Sequence, residues 1–109
     1  YSQAIKLGNL VFTSGQIGLN PATGELIGAS TEEQARQAFT NLKAVAEEAG
    51  GSLANVVKFT LFLTDLSEFA QVNAIMQEYV SAPFPARSTV GVASLPKGAR
   101  FEVEAILAL

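Results

Sequence analysis

The stretch 84–106 alternates polar and apolar residues on both sides of a short turn, a pattern typical of two β-strands that pair as a hairpin. The turn is the Ser-Leu-Pro-Lys-Gly run at positions 94–98, where proline and glycine interrupt any regular strand. Because side chains alternate between the two faces of a strand, Glu102 and Glu104 lie opposite the apolar row. If the apolar rows of both strands face one core, Arg87 shares a face with the two glutamates. The pattern therefore predicts one wall of the sheet with a cation and two carboxylates.

The segment before this stretch has the pattern of a hairpin followed by a helix. Apolar runs on either side of the Gly-Asn dipeptide at positions 8–9 predict two strands joined by a two-residue turn. Ser30, with Glu33 three residues later, is typical of a helix capping box, and the glycines at positions 50–51 predict the helix end. Between these points apolar residues recur at helical spacing, namely Ala35, Ala38, Phe39, Leu42, Val45, Ala46 and Ala49.

The middle of the chain alternates a strand with a second helix. Residues 56–63 form a β-rich run, positions 64–67 open a helix, and Pro83 and Pro85 end it. The order β-β-α-β-α-β-β predicts an α+β fold, in which two helices cover one face of a mixed sheet of five or six strands. Because the run 56–63 is apolar on both sides, the second sheet face should also be buried, and another copy of the chain is the simplest cover.

Composition and charge narrow the classes of function. The 109 residues predict a single domain spanning 1–109, and a formal charge of −3 without a basic run argues against a nucleic-acid partner. Because the chain has neither Cys nor His, we expect no metal site, and nothing in the pattern requires a cofactor. No apolar stretch is long enough to span a membrane and no signal-peptide pattern is visible, which predicts a cytoplasmic protein without a membrane partner.

Several motifs resemble those of one known family. The run Pro-Ala-Arg-Ser at 85–88, followed by Glu-Val-Glu-Ala-Ile at 102–106, is similar to its signature, and further similarity covers 13–17, 20–25 and 69–73. On these motifs the chain is identified as a member of the reactive intermediate deaminase A family, also called the RidA or YjgF family. The resemblance implies a chorismate-mutase-like fold, a homotrimer around a central barrel, and clefts between subunits.

The same resemblance implies roles for two charged residues. Arg87 would hold the substrate carboxylate, for which a planar guanidinium with parallel donors is suited. Glu102 would position or activate a water molecule. From the pattern alone, Arg87 could instead form a salt bridge to Glu102 or Glu104, and Glu102 could be an ordinary exposed carboxylate. Glu104 is expected to have a structural role or to pair with Arg100.

Four further residues complete the expected substrate-binding site, namely Ser14, Gly15, Thr89 and Tyr1. Ser14 has no base partner, so we expect its hydroxyl to form a hydrogen bond in the pocket and not to act as a nucleophile. The alternative is a strand-end hydroxyl satisfied by the backbone. By resemblance, Thr89 occupies a position where many relatives have Cys, which argues that a thiol is not needed, and Tyr1 matches a tyrosine near the cleft.

The activity that the resemblance implies is that of a 2-iminobutanoate/2-iminopropanoate deaminase. Such an enzyme hydrolyses enamines and imines, for example 2-aminoacrylate and 2-aminocrotonate, to 2-keto acids and ammonia without a cofactor. Two alternatives stay open from the residues. The chain could bind small carboxylic acids or regulate another protein without turnover, or it could be an endoribonuclease or translation inhibitor, as some relatives are labelled. The absence of His and the acidic balance weigh against the last of these.

Overall fold

The computed structural model describes residues 1–109 and contains five strands and two α-helices. In chain order these are β1 (Ala4–Leu7), β2 (Leu10–Thr13), α1 (Thr31–Glu48), β3 (Val56–Leu63), α2 (Phe69–Gln77), β4 (Ala86–Gly91) and β5 (Phe101–Ala108). Short 3₁₀ turns precede β3, α2 and β5, at Leu53–Asn55, Leu66–Glu68 and Pro96–Gly98. The order agrees with the predicted arrangement and the α+β class. Neither helix combines the length and the apolar character that crossing a bilayer would need.

Local sequence explains where the first elements turn and begin. β1 and β2 pair antiparallel across a two-residue turn in which Gly8 has a φ of 61°. α1 begins after Ser30, whose side-chain oxygen accepts a hydrogen bond from Glu33 N at 3.1 Å. Beyond the end of α1, Gly50 has a φ of 97°, which glycine adopts without strain. The predicted hairpin of β1 and β2 and the predicted start and end of α1 are therefore confirmed.

The five strands form one sheet in the order β1-β2-β5-β3-β4. All neighbouring pairs are antiparallel except β3 and β4, which run parallel and are connected through α2. β4 and β5 are not neighbours, because β3 lies between them. The prediction that these two strands pair across a shared turn is wrong, since the long antiparallel ladder between β3 and β5 occupies the place that such a hairpin would need.

Both helices pack on one face of the sheet, which we call the helix face. The Phe39 ring of α1 lies at the centre of this core, with its centroid 5.6 Å from that of Phe101 and 6.0 Å from that of Phe59. All three rings are fully buried. Burying a side chain of this size contributes roughly 2–3 kcal/mol to folding, so this aromatic contact is a main reason that α1 stays on the sheet.

The opposite face of the sheet, which we call the open face, has no helix on it. Cross-strand register places three rows of side chains there, namely Ile5, Phe12, Ile106 and Lys58, then Glu104, Thr60 and Ser88, then Glu102, Phe62 and Val90. Three of the apolar members are exposed, Ile5 at 58%, Phe12 at 41% and Val90 at 40%, whereas Phe62 and Ile106 are half-buried. At the centre of the face Lys58 Nζ donates to Ser88 Oγ at 3.1 Å. An exposed apolar surface of this kind is typical of an interaction site.

Candidate functional site

Glu102 lies near the start of β5 on the open face, beside the loop that follows β2. Gln16 N donates to Val103 O at 2.7 Å and Val103 N donates to Gln16 O at 3.0 Å, which holds this loop against β5. The Glu102 carboxylate occupies the space in front of Gly15, because a Cβ added at Gly15 would lie 2.1 Å from Glu102 Oε1. With Glu102 in this position, only glycine fits at position 15.

The Glu102 carboxylate borders a cleft of about 400 Å³, which we call the carboxylate cleft. Four of the residues predicted for the site line it, namely Glu102, Gly15, Ser14 and Tyr1. The Ser14 hydroxyl donates to the backbone oxygen of Ser2 at 2.5 Å, so the backbone satisfies its donor while the hydroxyl oxygen can still accept a hydrogen bond. Tyr1 lies at the rim and is fully exposed.

The environment of Glu102 changes its proton affinity. Burial raises the pKa of the Glu102 carboxyl above its usual value, and the negative charge of Glu104 raises it further. Glu104 lies two residues further along the same face, is exposed, and forms no ion pair. A carboxylate with a raised pKa is a stronger base than an ordinary glutamate, which suits a group that accepts and returns a proton.

Arg100 does not pair with Glu104. Its guanidinium donates to Glu68 Oε1 at 2.7 Å and to Thr31 Oγ1 at 2.8 Å. Of the two roles expected for Glu104, a structural one or pairing with Arg100, the pairing is therefore wrong. Arg100 precedes β5, and its long side chain reaches the N-terminal end of α1, where Glu68 and Thr31 both accept from it.

Arg87 belongs to a second cleft, on the helix face of the edge strand β4, which we call the arginine cleft. Parallel register places Arg87 beside Phe59 of β3. Arg87 Nη1 donates to Asn73 Oδ1 on α2, and the guanidinium carbon lies 5.0 Å from the centroid of the Phe69 ring. The cleft has a volume of about 350 Å³ and includes Phe84, whose side chain is 65% exposed. A cation on an apolar wall is thus presented to the outside.

Arg87 and Glu102 lie far apart within one chain. Register places Arg87 level with Phe59 and Glu102 level with Phe62, on strands separated by β3 and on opposite faces. Two steps between strands and three residues along a strand correspond to about 14 Å between the two Cα atoms. The predicted wall with Arg87, Glu102 and Glu104 is therefore wrong, and Arg87 forms a salt bridge with neither glutamate. The reason is that β4 takes its register from β3, which turns Arg87 towards the helix face.

Thr89 follows Arg87 on the helix face and lies in register with Leu61. Its Oγ1 is buried without a hydrogen-bond partner, and Thr89 lines neither cleft. A buried hydroxyl without a partner costs roughly 1–3 kcal/mol. The structure thus places Thr89 close to Arg87 along β4, but it does not bring the hydroxyl to the surface of either cleft.

Four polar residues of the carboxylate cleft were not predicted from the sequence, namely Gln3, Gln16, Asn41 and Lys97. Asn41 Nδ2 donates to Leu19 O at 2.8 Å and ties the loop after β2 to α1. The sequence around Asn41 does not indicate a site residue, because polar residues are common on the surfaces of helices. Lys97 belongs to the turn before β5, where the flanking Pro and Gly indicate a turn but not the cleft beside it.

The chain is similar over its whole length to proteins of one known family. A model of the family described as Endoribonuclease L-PSP matches residues 1–109. The chain is 49% identical over 109 residues to a protein of Dermatophagoides farinae named 2-iminobutanoate/2-iminopropanoate deaminase, with 100% of this chain and 85% of that protein covered. It resembles the crystal structure of RidA from an Antarctic Psychrobacter, with a TM-score of 0.97, 52% identity, and coverage of 100% and 88%. For E. coli TdcF with bound serine the TM-score is 0.92 at 42% identity, with coverage of 100% and 87%.

These matches span the whole chain and agree with the motifs at 13–17 and 85–106. The solved structures share the α+β architecture of two helices on a mixed five-stranded sheet. The chain therefore belongs to the Endoribonuclease L-PSP family, which is also called the YjgF/RidA family.

Proposed function

We propose that the protein is an enamine and imine deaminase, which hydrolyses 2-imino acids such as 2-iminobutanoate and 2-iminopropanoate to 2-keto acids and ammonia without a cofactor. The observation that carries the proposal is the chemistry of the two clefts. One presents a carboxylate with a raised pKa, and the other presents a guanidinium without a carboxylate partner. An anionic imino acid needs both groups, a cation for its carboxylate and a base for water. Relatives 42–49% identical to the chain are named for this activity.

If one substrate binds to both clefts, the two clefts must belong to different copies of the chain. A three- or four-carbon imino acid cannot span the distance of about 14 Å between the Cα atoms of Arg87 and Glu102. Placing β4 of one copy against the carboxylate cleft of the next would bring the two groups together. A contact of this heterologous type closes into a ring when repeated. The exposed apolar open face supports the homotrimer around a central barrel that the family resemblance implies.

In the completed site Arg87 binds the substrate carboxylate through two parallel hydrogen bonds. Water attacks the imine carbon while Glu102 takes a proton from it and passes that proton to the imine nitrogen, which gives a carbinolamine. Glu102 then transfers the hydroxyl proton to the amino group, the C–N bond breaks, and ammonia leaves as the 2-keto acid forms. Free imines already hydrolyse in water, so positioning and one acid-base group, lowering the barrier by about 3–6 kcal/mol, are sufficient.

We assign the other predicted residues roles in substrate binding and in the placement of Glu102. Ser14 would accept a hydrogen bond from substrate or water, Gly15 makes room for Glu102, and Tyr1 would cover the rim of the cleft. Thr89 stays a proposed substrate-binding residue, whose buried hydroxyl would have to find its partner in the assembled site. The proposal treats residues 1–109 as one domain and keeps the cytoplasm as the predicted location.

A second candidate function is binding of small amino or keto acids without turnover. The solved structure of E. coli TdcF with bound serine favours it, because serine also has a small carboxylate that Arg87 could hold. An endoribonuclease, as the description of the family model suggests, has less support. RNA phosphates need clustered cations, whereas Lys97 is the only cationic side chain in the carboxylate cleft, and the chain has no histidine.

The experiment that separates these functions is a direct assay with freshly generated 2-aminoacrylate. We expect ammonia and pyruvate to form faster than in a control without protein, and the rate to increase in proportion to protein concentration. Binding of pyruvate without any acceleration would instead establish the binding function.

A charge at Phe62 tests the proposed assembly. Phe62 lies on the open face, whereas its neighbour Leu61 is fully buried on the helix face. In a trimer that covers the open face, Phe62→Asp buries an unpaired carboxylate, so we expect the trimer to dissociate at micromolar concentration. Light scattering measures the mass, and Ile27→Asp, a change at an exposed loop residue outside the sheet, is the matched control. A Phe62→Asp protein that stays trimeric would contradict this interface.

A methyl group at position 15 tests whether the placement of Glu102 matters. Gly15 lacks a positive φ, so Gly15→Ala brings no backbone strain, and the new Cβ meets only the flexible end of Glu102. We expect a melting temperature close to that of the unchanged protein. Turnover should fall by roughly 10²-fold, because the carboxylate must move by about an ångström or more. Equal kcat/KM values for the two proteins would show that this position of Glu102 is not needed.

A further inference from the structure

Lys97 has an unusual backbone conformation beside the carboxylate cleft. It is the only residue other than glycine with a positive φ, with φ 59° and ψ 21°. Gly98 N donates to Leu95 O at 3.2 Å, which makes residues 95–98 a turn with Pro96 in second and Lys97 in third place. Proline followed by a left-handed residue is typical of a type II turn, whose third position normally has Gly or Asn. A lysine there is strained, and such strain concentrates at functional sites.

The Lys97 ammonium has no partner in the protein. Of the six other cations, three pair with glutamates, Lys58 donates to Ser88, and Arg87 lies in the arginine cleft. Lys6 also forms no salt bridge, but it lies on β1 away from the carboxylate cleft. Lys97 itself forms no salt bridge. It lines the carboxylate cleft together with Glu102, and no other lysine or arginine does. The strained residue is therefore also the only cationic side chain beside the proposed base.

The carboxylates in and near this cleft repel an anionic substrate. Glu102 and its neighbour Glu104 lie on the same face, and the whole chain has a formal charge of −3. Charges within about 10 Å interact appreciably at an ionic strength of 0.1 M, so both carboxylates would repel an approaching imino acid carboxylate. A cation within the cleft offsets this repulsion.

We propose that Lys97 is a positioning residue that draws the substrate carboxylate into the carboxylate cleft and offsets the charge of Glu102 and Glu104. The inference rests on the proposed function for the nature of the substrate, an imino acid anion. Lys97 lines the cleft from this left-handed turn, and the ammonium acts through its charge before the carboxylate reaches Arg87. Its effect is therefore on capture of the substrate, and the chemical step at Glu102 should change little.

The test compares Lys97→Asn and Lys97→Arg with the unchanged protein. Asparagine tolerates the left-handed conformation, so the first variant loses the charge without adding backbone strain. At an ionic strength of about 0.01 M, where the Debye length is about 30 Å, we expect Lys97→Asn to lower kcat/KM by roughly fivefold, mainly through KM. At about 1 M the Debye length is about 3 Å, and the two proteins should converge. Lys97→Arg should behave as the unchanged protein does.

Lys43→Gln is the control for net charge, since Lys43 lies on the exposed side of α1 and pairs with Glu47 at 3.8 Å. The spontaneous rate of imine hydrolysis is subtracted at each salt concentration. Equal kcat/KM values and salt slopes for Lys97→Asn and the unchanged protein would overturn the role of Lys97 alone. An equal loss in Lys43→Gln would also overturn it, because the effect would then be one of net charge. If the unchanged protein gives no turnover at all, the proposed function fails, and the inference about Lys97 fails with it.

Discussion

Glu102→Gln is expected to lower turnover by roughly 10²–10⁴, the loss typical of removing one acid-base group. Glutamine keeps the size of the side chain and still fits in front of Gly15, but it cannot accept a proton from water. Steady-state kinetics with 2-aminoacrylate measures the loss. Because burial raises the pKa of Glu102, the charged form is disfavoured by folding, and the glutamine variant should be no less stable than the parent at neutral pH.

The pH profile of kcat/KM gives a second readout of the same residue. Glu102 must be deprotonated to act, so the rate should fall as the pH falls through its pKa, with a midpoint above the usual value for glutamate. The matched control is Glu104→Gln, on the same strand and face. Because the negative charge of Glu104 raises the pKa of Glu102, this variant should keep most of the turnover and shift the midpoint towards lower pH. Full activity of Glu102→Gln would return Glu102 to the role of an exposed strand carboxylate.

The elements of the fold could be predicted from the sequence because their determinants are local. The capping interaction of Ser30 with Glu33 involves residues three apart, and the turn at Gly8 depends on a single dipeptide. The face of Glu102 was also predicted correctly, because β5 alternates strictly between buried and less buried residues. In each case the residues that decide the structure lie within a few positions of one another.

The face of Arg87 could not be predicted in this way, because it depends on a partner strand distant in sequence. In β4 the alternation is weak, and no residue of the strand is fully buried. The helix face of β4 has Arg87, Thr89 and Gly91, and the open face has Ser88 and Val90, so neither row is clearly the core row. Only the register with β3 determines which face of the sheet Arg87 occupies, and that register depends on residues far apart in the sequence.

The separation of the two clefts follows from the same long-range feature. Placing β4 at the sheet edge directs Arg87 outwards on one side, while the carboxylate cleft opens on the other. A site that is complete within one chain would need neither the exposed edge strand nor the exposed apolar open face. The geometry thus connects the proposed assembly of the protein to its proposed catalysis, and variants at Arg87 test both.

Arg87→Ala is expected to abolish turnover while leaving the fold intact. Arg87 is exposed and has no carboxylate partner, so its removal leaves no buried glutamate unpaired. The losses are the hydrogen bond to Asn73 and the contact with the Phe69 ring, and we expect folding stability to change by no more than about 1 kcal/mol. Arg87→Lys keeps the charge but lacks parallel donors, so a bidentate site should reject it as well.

Ligand-induced stabilisation provides the readout that does not depend on catalysis. Added pyruvate or 2-ketobutyrate should raise the melting temperature of the unchanged protein, because a ligand that binds only the folded state stabilises it. Neither Arg87 variant should show this shift. If all three proteins are stabilised equally, the substrate carboxylate binds elsewhere and the role of the arginine cleft is wrong.

Mixed oligomers decide whether Arg87 and Glu102 act from different subunits. In trimers refolded from equal amounts of Arg87→Ala and Glu102→Gln chains, a site has its carboxylate intact in half of the cases and its guanidinium intact in half. If neighbouring copies supply the two groups, about a quarter of the sites are complete, and about a quarter of the original turnover should return although each variant alone is inactive. If one chain supplied both groups, every site would lack one of them and the mixture would stay inactive. Recovered activity would therefore establish that the edge strand of one copy completes the carboxylate cleft of the next.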